Sequence, residues 1–225
     1  MKLLIIEDEK ALSDSMIAYL KGEQYLCETA YDFASAQEKL DLYHYDCILL
    51  DITLPGGNGL KLLDELIANN QRDGVIIISA RNSLDDKIHG LQSGADDYLA
   101  KPFHLAELGA RIESVIRRRT FGGSNLLVLG DLTIDLLAKT ANVNGKELLL
   151  TPKEYALLLF LAANKNKLVS KNAIAMHILG DGAEWLSQFD LVYTHIKNLK
   201  KKLAQAGCAD YIQSRYGMGY KLRIP

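Results

Sequence analysis

Five times within its first 118 residues the chain repeats one pattern, an apolar run followed by a segment whose apolar residues recur at helical spacing. Lys2 to Ile6 is the first run, and residues 10 to 21 then set Leu12, Met16 and Leu20 on one face, with Ile17 and Tyr19 flanking. Tyr25 to Ala30 precedes the helical stretch Ala34 to Leu42, and Asp46 to Asp51 precedes Leu60 to Asn69 after glycines at 56, 57 and 59. Val75 to Ala80 with Leu84 to Ser93, and Asp97 to Lys101 with Leu105 to Arg118, complete the series. Such alternation predicts an α/β fold, a five-stranded doubly wound parallel sheet, because each parallel connection must cross the sheet and usually does so as a helix.

In open sheets of this kind ligands bind outside the carboxyl ends of the strands. There the sequence places Glu7 and Asp8, Asp51, Ser79 and Lys101, so that four of the five strands deliver a polar group to one edge. Carboxylates gathered in one pocket repel, each close pair by roughly 4 kcal/mol at an effective dielectric of 20. Cations must therefore be present. Lys101 supplies one charge, and Mg²⁺ fits as the second, since it takes oxygen ligands and is commonly held by one or two carboxylates plus a phosphate.

Glu7-Asp8, Asp51 with Leu54-Pro55-Gly56, Ser79-Ala80-Arg81 and the run Gly94 to Phe103 resemble the receiver domain of bacterial two-component response regulators, over residues 1–119. The resemblance implies a flavodoxin-like receiver phosphorylated on Asp51 by a sensor histidine kinase. It implies Mg²⁺ on Glu7, Asp8, Asp51 and the Thr53 carbonyl, a phosphoryl contact from Ser79 and Lys101, and a relay from Ser79 to Tyr98. Positioning and charge are most of what in-line phosphoryl transfer asks of a protein. An aspartyl-phosphate phosphatase would need an acid two residues beyond the nucleophile, where this chain has Thr53, so a switch is favoured over a turnover enzyme. The resemblance also implies a homodimer formed on phosphorylation. Lys87 with Glu107, and Asp96 or Asp97 with Arg111 and Arg118, would make its ion pairs, around an apolar patch of Ile88, Leu91 and Ala110.

The second half differs in charge. Residues 1 to 120 carry 13 basic and 20 acidic side chains, net −7, whereas residues 121 to 225 carry 13 and 8, net +5, which sum to the whole-chain value of −2. A basic half suits a polyanion. Residues 120–125, with Gly122-Gly123-Ser124-Asn125, read as a flexible linker. From Leu126 to Leu150 short apolar runs punctuated by turn signals, with a hairpin at Asn142 to Lys146, predict a small antiparallel sheet. Thr151-Pro152-Lys153-Glu154 reads as a capping box opening a helix through Ala163, with a stripe of Tyr155, Leu158, Leu159 and Ala162. A second helix starts at Val169-Ser170-Lys171 and a third runs from about Asp190 to Ala206 on the stripe Val192, Ile196, Leu199 and Leu203. A glycine-turned hairpin, Tyr211 to Leu222, closes the chain.

Leu150 to Tyr155, Val192 to Lys200 and Gly217-Met218-Gly219-Tyr220 resemble the α+β winged helix-turn-helix domain of the OmpR/PhoB class, over residues 126–225. That implies binding to double-stranded promoter DNA. Tyr193, Thr194, Lys197 and Asn198 are the candidates for base edges, His195, Lys200, Lys201 and Lys202 for phosphates, and Arg215 or Tyr216 for the wing's minor-groove contact. Lysines stand where the class often has arginines, and lysine lacks the planar fork that reads guanine. Asp181 to Ser187 lies where the class meets RNA polymerase; Trp185 within it is equally consistent with a buried residue.

No apolar run approaches the roughly 18 residues of a membrane span. A soluble, cytoplasmic protein with no membrane partner is implied. Cys27, Cys47 and Cys208 have no metal-type spacing, and buried thiols are favoured over a disulfide. The reading that unites the halves is a phosphorylation-dependent transcription regulator. The alternative is a constitutive DNA-binding regulator that works without phosphorylation.

Overall fold

The computed structural model describes residues 1–69, 71, 73–179 and 185–224, with backbone alone at 185–188. The chain divides into two compact units, Lys2–Gly123 and Ser124–Pro225.

In the first unit the elements follow as β1 (Lys2–Ile6), α1 (Lys10–Gly22), β2 (Leu26–Ala30), α2 (Phe33–Leu42), β3 (Cys47–Asp51), the two-residue strands β4 (Thr53–Leu54) and β5 (Gly57–Asn58), α3 (Gly59–Ala68), β6 (Gly74–Ser79), α4 (Leu84–Gln92), β7 (Asp97–Ala100) and α5 (Leu105–Phe121). The main sheet is five-stranded and parallel, in the order β2-β1-β3-β6-β7. Strand residues alternate faces. Leu4, Ile6, Ile48, Leu50 and Ile77 therefore pack on one side with Leu40 of α2 and Leu62, Leu63 and Leu66 of α3. Leu3, Ile5, Leu49, Ile76 and Ile78 take the other side, and are as buried as Met16 and Leu20 of α1 and Leu108, Ile112 and Val115 of α5. Each such side chain contributes about 1.5–3 kcal/mol when fully buried, which is why every strand reads as a continuous apolar run. Asp32, Asn58 and Ser83 cap α2, α3 and α4 through their side chains. Helix α5 runs past Arg118 to Phe121 and stops at Gly122, whose φ of 64° is left-handed. Thr120 and Phe121 are thus helical, because Gly122 is where a left-handed residue costs least.

The second unit opens with β8 (Leu126–Leu129), β9 (Leu132–Asp135), β10 (Thr140–Val143) and β11 (Lys146–Glu147), an antiparallel sheet in the order β11-β10-β9-β8. Helices α6 (Pro152–Ala163), α7 (Lys171–Ile178) and α8 (Trp185–Gln205) follow, then the hairpin β12 (Ile212–Arg215) and β13 (Gly219–Leu222). Val169 bridges to Tyr220, which ties the hairpin to the start of α7. The capping box forms as read: Thr151 N–H donates to Glu154 Oε2 at 2.8 Å, and Glu154 N–H to Thr151 Oγ1 at 3.4 Å. Helix α6 is more apolar than its expected stripe, burying Leu157 and Leu161 as well, while Tyr155 is only half-buried and donates its hydroxyl to the Asp135 carbonyl. Helix α8 begins before Asp190, which is a mid-helix residue whose carbonyl accepts from Thr194 Oγ1. The stripe Val192, Ile196, Leu199 and Leu203 is buried. All three cysteines are free thiols, Cys27 half-buried and the others buried. Burial raises Cys27 and Cys208 to about 11, so neither is a reactive thiolate.

Candidate functional site

The carboxyl edge of the parallel sheet gathers Glu7 from the end of β1 and Asp51 from the end of β3. Both are buried, whereas Asp8 beside them is exposed. One carboxylate oxygen from each of the three lies within 4.8 Å of the others. Lys101, just past β7, reaches across the edge: its Nζ stands 2.6 Å from Asp51 Oδ2 and 2.8 Å from Glu7 Oε1. Glu7 Oε2 is 2.7 Å from the same ammonium, so both oxygens of the carboxylate face Lys101. Burial pushes the Glu7 carboxyl above its ordinary range; the Lys101 hydrogen bond and charge oppose that shift, and the like charge of Asp51 adds to it. For Lys101 burial works downward, but its hydrogen bonds to Asp51 and Glu7 outweigh it and the ammonium is held above its ordinary value. The pocket gathers three carboxylates around one lysine. An all-oxygen donor set of this kind fits Mg²⁺ and offers nothing to a softer metal.

The loop after β3 is set by close approach. A Cβ on Gly59 would collide with the Asp51 carbonyl, and one on Gly57 with the ring of Phe33. Phe33 N–H in turn donates to the Pro55 carbonyl at 3.0 Å. These contacts hold Thr53, exposed and paired with Asn58, so that its N–H donates to Asp51 Oδ1 at 2.8 Å. Phe33 carries no motif signal; only its place at the start of a helix next to the loop explains its role.

Ser79 ends β6 at the same edge, fully buried, and its Oγ accepts from Arg81 N–H at 3.1 Å. Tyr98 is buried as well: its hydroxyl donates to the Arg81 carbonyl at 2.7 Å, and its ring leaves no room for a Cβ on Gly90 of α4. Ser79 and Tyr98 thus both engage Arg81 backbone. On the α4 and α5 surface Ile88, Leu91 and Ala110 are exposed and Lys87 is half-buried. Asp97, Glu107 and Arg111 pair there within the chain. Arg111 Nη1 meets both Asp97 oxygens at 2.8 and 2.9 Å, and Arg111 Nη2 takes Glu107 at 2.8 Å. Asp96, next to Asp97 at the start of β7, is a brace, accepting from Val75 N–H; Arg118 reaches only its carbonyl, and Arg119, which sequence reasoning passed over, takes its side chain at 2.6 Å.

On α8, Tyr193, Thr194, Lys197, Asn198 and Lys201 are exposed and His195 half-buried, and Arg215 and Tyr216 are exposed at the hairpin. Burial, then the charge of Lys153, depresses the His195 imidazolium. Two of the lysines expected to contact phosphate have partners within the chain. Lys200 pairs with Asp210 at 3.0 Å. Lys202 folds back onto the capping box, 2.6 Å from Glu154 Oε2 and 2.7 Å from the Leu149 carbonyl. Glu154 is buried, which works upward on its acidity, but the hydrogen bonds from Lys202 and Thr151 N–H prevail and hold it below its ordinary value. The stretch expected to meet RNA polymerase lies outside the described residues at 181–184, as do the side chains of Trp185 to Ser187. Among the described residues no helix is long and apolar enough to cross a membrane.

Residues 3–113 match the family described as the response regulator receiver domain, and residues 145–222 that described as transcriptional regulatory protein, C terminal. The cell cycle response regulators CtrA of Brucella anthropi and Brucella ovis are each 37% identical over 229 residues, spanning 100% of this chain and 97% of theirs. The receiver domain of the Francisella response regulator 1452 is 34% identical with a TM-score of 0.51, over 52% of this chain and 97% of that one. A streptococcal redox sensor, described as evolved from two-component response regulators, shares the fold at 24% identity and a TM-score of 0.50, over 100% of this chain and 99% of its own.

Proposed function

Because the chain belongs to the OmpR/PhoB-type response regulators, transcription factors and not enzymes, in which a receiver domain precedes a DNA-binding domain, we propose that a sensor histidine kinase phosphorylates it on Asp51 to promote dimerisation and sequence-specific promoter binding. The observation that carries this reading is the Asp51 carboxylate held between the Lys101 ammonium and the Thr53 N–H, with Glu7 and Asp8 beside it. One carboxylate oxygen forms a bond to phosphorus as the bond from phosphorus to the kinase histidine breaks, and the histidine leaves as neutral imidazole. Glu7, Asp8, Asp51 and the Thr53 carbonyl would hold Mg²⁺, which when bound neutralises charge on the transferring group. Lys101 then pairs with a phosphoryl oxygen, and the Ser79 hydroxyl donates to another, drawing its Oγ from Arg81 N–H.

That exchange is the step that carries the signal outward. Ser79 and Tyr98 both bond Arg81 backbone, so a shift of Ser79 toward phosphate acts on the segment that leads into α4. The proposed dimer surface of α4, β7 and α5 lies next along the chain. Its apolar part is Ile88, Leu91 and Ala110; Lys87, Glu107, Asp97, Arg111 and Arg118 would reorganise between copies, with the Asp97 and Arg111 pair exchanged from within one chain to between two. Dimerisation would set two α8 helices on adjacent half-sites. Tyr193, Thr194, Lys197 and Asn198 would read bases, His195 and Lys201 phosphates, and Arg215 or Tyr216 the minor groove, with RNA polymerase contacted from residues 181–187.

A second reading, binding independent of phosphorylation, draws support from Tyr98, which already lies inward. Sedimentation velocity with Mg²⁺ and beryllofluoride, beside Asp51→Asn, decides between them. A monomer-to-dimer shift that Asp51→Asn abolishes is the expected result. A dimer present throughout, with DNA affinity unchanged in Asp51→Asn, would establish the second reading.

A further inference from the structure

The hairpin that follows Asp51 is a weak structure by itself. Its strands β4 and β5 have two residues each and pair only as Thr53 with Asn58 and Leu54 with Gly57, and a two-stranded hairpin is at best marginal in water. Pro55 and Gly56 make the turn. Proline fixes the first of these at a negative φ and Gly56 has a φ of 83°, a combination that does not follow the twist of antiparallel strands. The Thr53 backbone nonetheless has two roles at the site. Its N–H donates to Asp51 Oδ1 at 2.8 Å, and its carbonyl is the main-chain member of the proposed Mg²⁺ ligands. Support from outside the hairpin is needed to hold both in place.

Phe33, the first residue of α2, supplies it. Its N–H donates to the Pro55 carbonyl at 3.0 Å, at the tip of the hairpin. Its ring lies directly against β5: a Cβ added to Gly57 would stand 2.5 Å from Phe33 Cδ2 and 2.6 Å from Cγ. The φ of Gly57 is outside the left-handed region, so the ring and not the backbone excludes a side chain there. Phe33 is itself fixed, since Asp32 caps α2 by accepting from Ser35 N–H at 2.8 Å and the ring packs on the core cluster that includes Leu54. At the base of the hairpin Gly59 N–H donates to the Ile52 carbonyl at 2.8 Å, and Phe33 holds the other end. We propose that Phe33 is a positioning residue for the Asp51 site. By fastening the hairpin to α2 it sets where the Thr53 N–H and carbonyl stand, and so how tightly the site takes Mg²⁺. The proposal rests on the reading of Asp51 as the phosphoacceptor. What matters is that the space beside the Gly57 backbone is filled, so a side chain on residue 57 facing none on residue 33 would give the same support.

The test compares ¹H–¹⁵N correlation spectra of the full-length protein, first metal-free and then through a Mg²⁺ titration, for the parent, Phe33→Gly, Phe33→Gly combined with Gly57→Met, and Leu40→Ala. Leu40 is a buried residue of the same helix, so its truncation loosens the core and leaves Phe33 in place. Phe33→Gly should weaken Mg²⁺ roughly tenfold and, without metal, should shift the Thr53 amide and speed its hydrogen exchange. The double variant should recover most of both losses. Leu40→Ala should lower the melting temperature and change neither. Unchanged Mg²⁺ affinity in Phe33→Gly, an equal loss in Leu40→Ala, or no recovery in a folded double variant would each overturn the role given to Phe33. A parent that takes no Mg²⁺ would overturn the reading of the site itself, and the Thr53 amide measured without metal keeps that failure distinct from the other.

Discussion

Each half of the molecule contains a buried glutamate beside one lysine, and the two pairs behave in opposite ways. Glu7 meets Lys101 at 2.7–2.8 Å in the receiver, and Glu154 meets Lys202 at 2.6 Å in the DNA-binding domain. The Glu7 carboxyl is nonetheless raised above its ordinary value and that of Glu154 lowered below it. Burial acts upward on both. The difference lies in the rest of the surroundings. Glu7 has Asp51 as a like-charged neighbour and accepts from the backbone only at 3.4 Å, from Glu9 N–H, whereas Glu154 Oε2 accepts from Thr151 N–H at 2.8 Å. The first pair is under-neutralised, the electrostatic condition for taking up a further cation. The second is complete, and joins the start of α6 to α8.

The sharpest way to break this comparison is to delete each lysine and ask whether Mg²⁺ restores what was lost. Lys101→Met should cost about 3 kcal/mol in EDTA, because two buried carboxylates are left facing one another. Millimolar Mg²⁺ should recover most of it. Lys202→Met should cost about 2 kcal/mol by removing a charged hydrogen-bond partner from a buried carboxylate, and Mg²⁺ should recover none. Urea unfolding followed by far-ultraviolet dichroism and by the fluorescence of Trp185, the one tryptophan in the chain, measures both. Equal rescue of the two variants would mean that the pairs do not differ in kind.

A smaller effect sharpens the comparison through pH. Glu7 has a folded value above 4.5, so its contribution is fully present below pH 4.5 and is lost as pH rises through the folded value. Glu154 has a folded value below 4.5, so its contribution is present above pH 4.5 and is lost as pH falls through that value. Glu7→Gln should therefore stabilise the metal-free protein at pH 7.5 and abolish the gain from Mg²⁺. Glu154→Gln should destabilise at pH 7.5 and flatten the acid limb of the stability profile. Melting temperatures across pH 3.5–8 in EDTA test both signs, and a Glu7→Gln variant less stable than the parent at pH 7.5 would reverse the argument.

How legible these features were in the sequence follows from their range. The order of elements was readable because each strand is an unbroken apolar run and each helix a periodic stripe, both local signals. The acidic edge was readable because the carboxyl ends of parallel strands share one side, so Glu7, Asp51, Ser79 and Lys101 converge once the topology is granted. That Glu7 would be buried and Asp8 exposed was not readable, since adjacent residues at a strand end differ only in which face they meet. The fates of the lysines on α8 were hidden for a similar reason. Lys200, Lys201 and Lys202 are indistinguishable by type, and only the positions of Asp210, ten residues from Lys200, and of Glu154, far away in sequence, give two of them partners within the chain. Helix α6 concealed its burial because it is apolar nearly all round, so its stripe had no polar face to contrast with.

The finest consequence of the comparison concerns that lysine run. Lys201 is exposed, so Lys201→Ala should weaken DNA binding about evenly across sequences and reduce the slope of log K against log salt by roughly one. Lys202→Met acts through the position of α8 and should weaken binding with the slope unchanged, while Lys202→Arg, which can still reach Glu154, should restore most of the loss. Fluorescence anisotropy with one promoter fragment at four salt concentrations separates the two. A slope that falls by the same amount in Lys201→Ala and Lys202→Met would make Lys202 a phosphate ligand after all, its ammonium leaving Glu154 when DNA binds. The completed joint would then be as exchangeable as the under-neutralised pocket around Asp51.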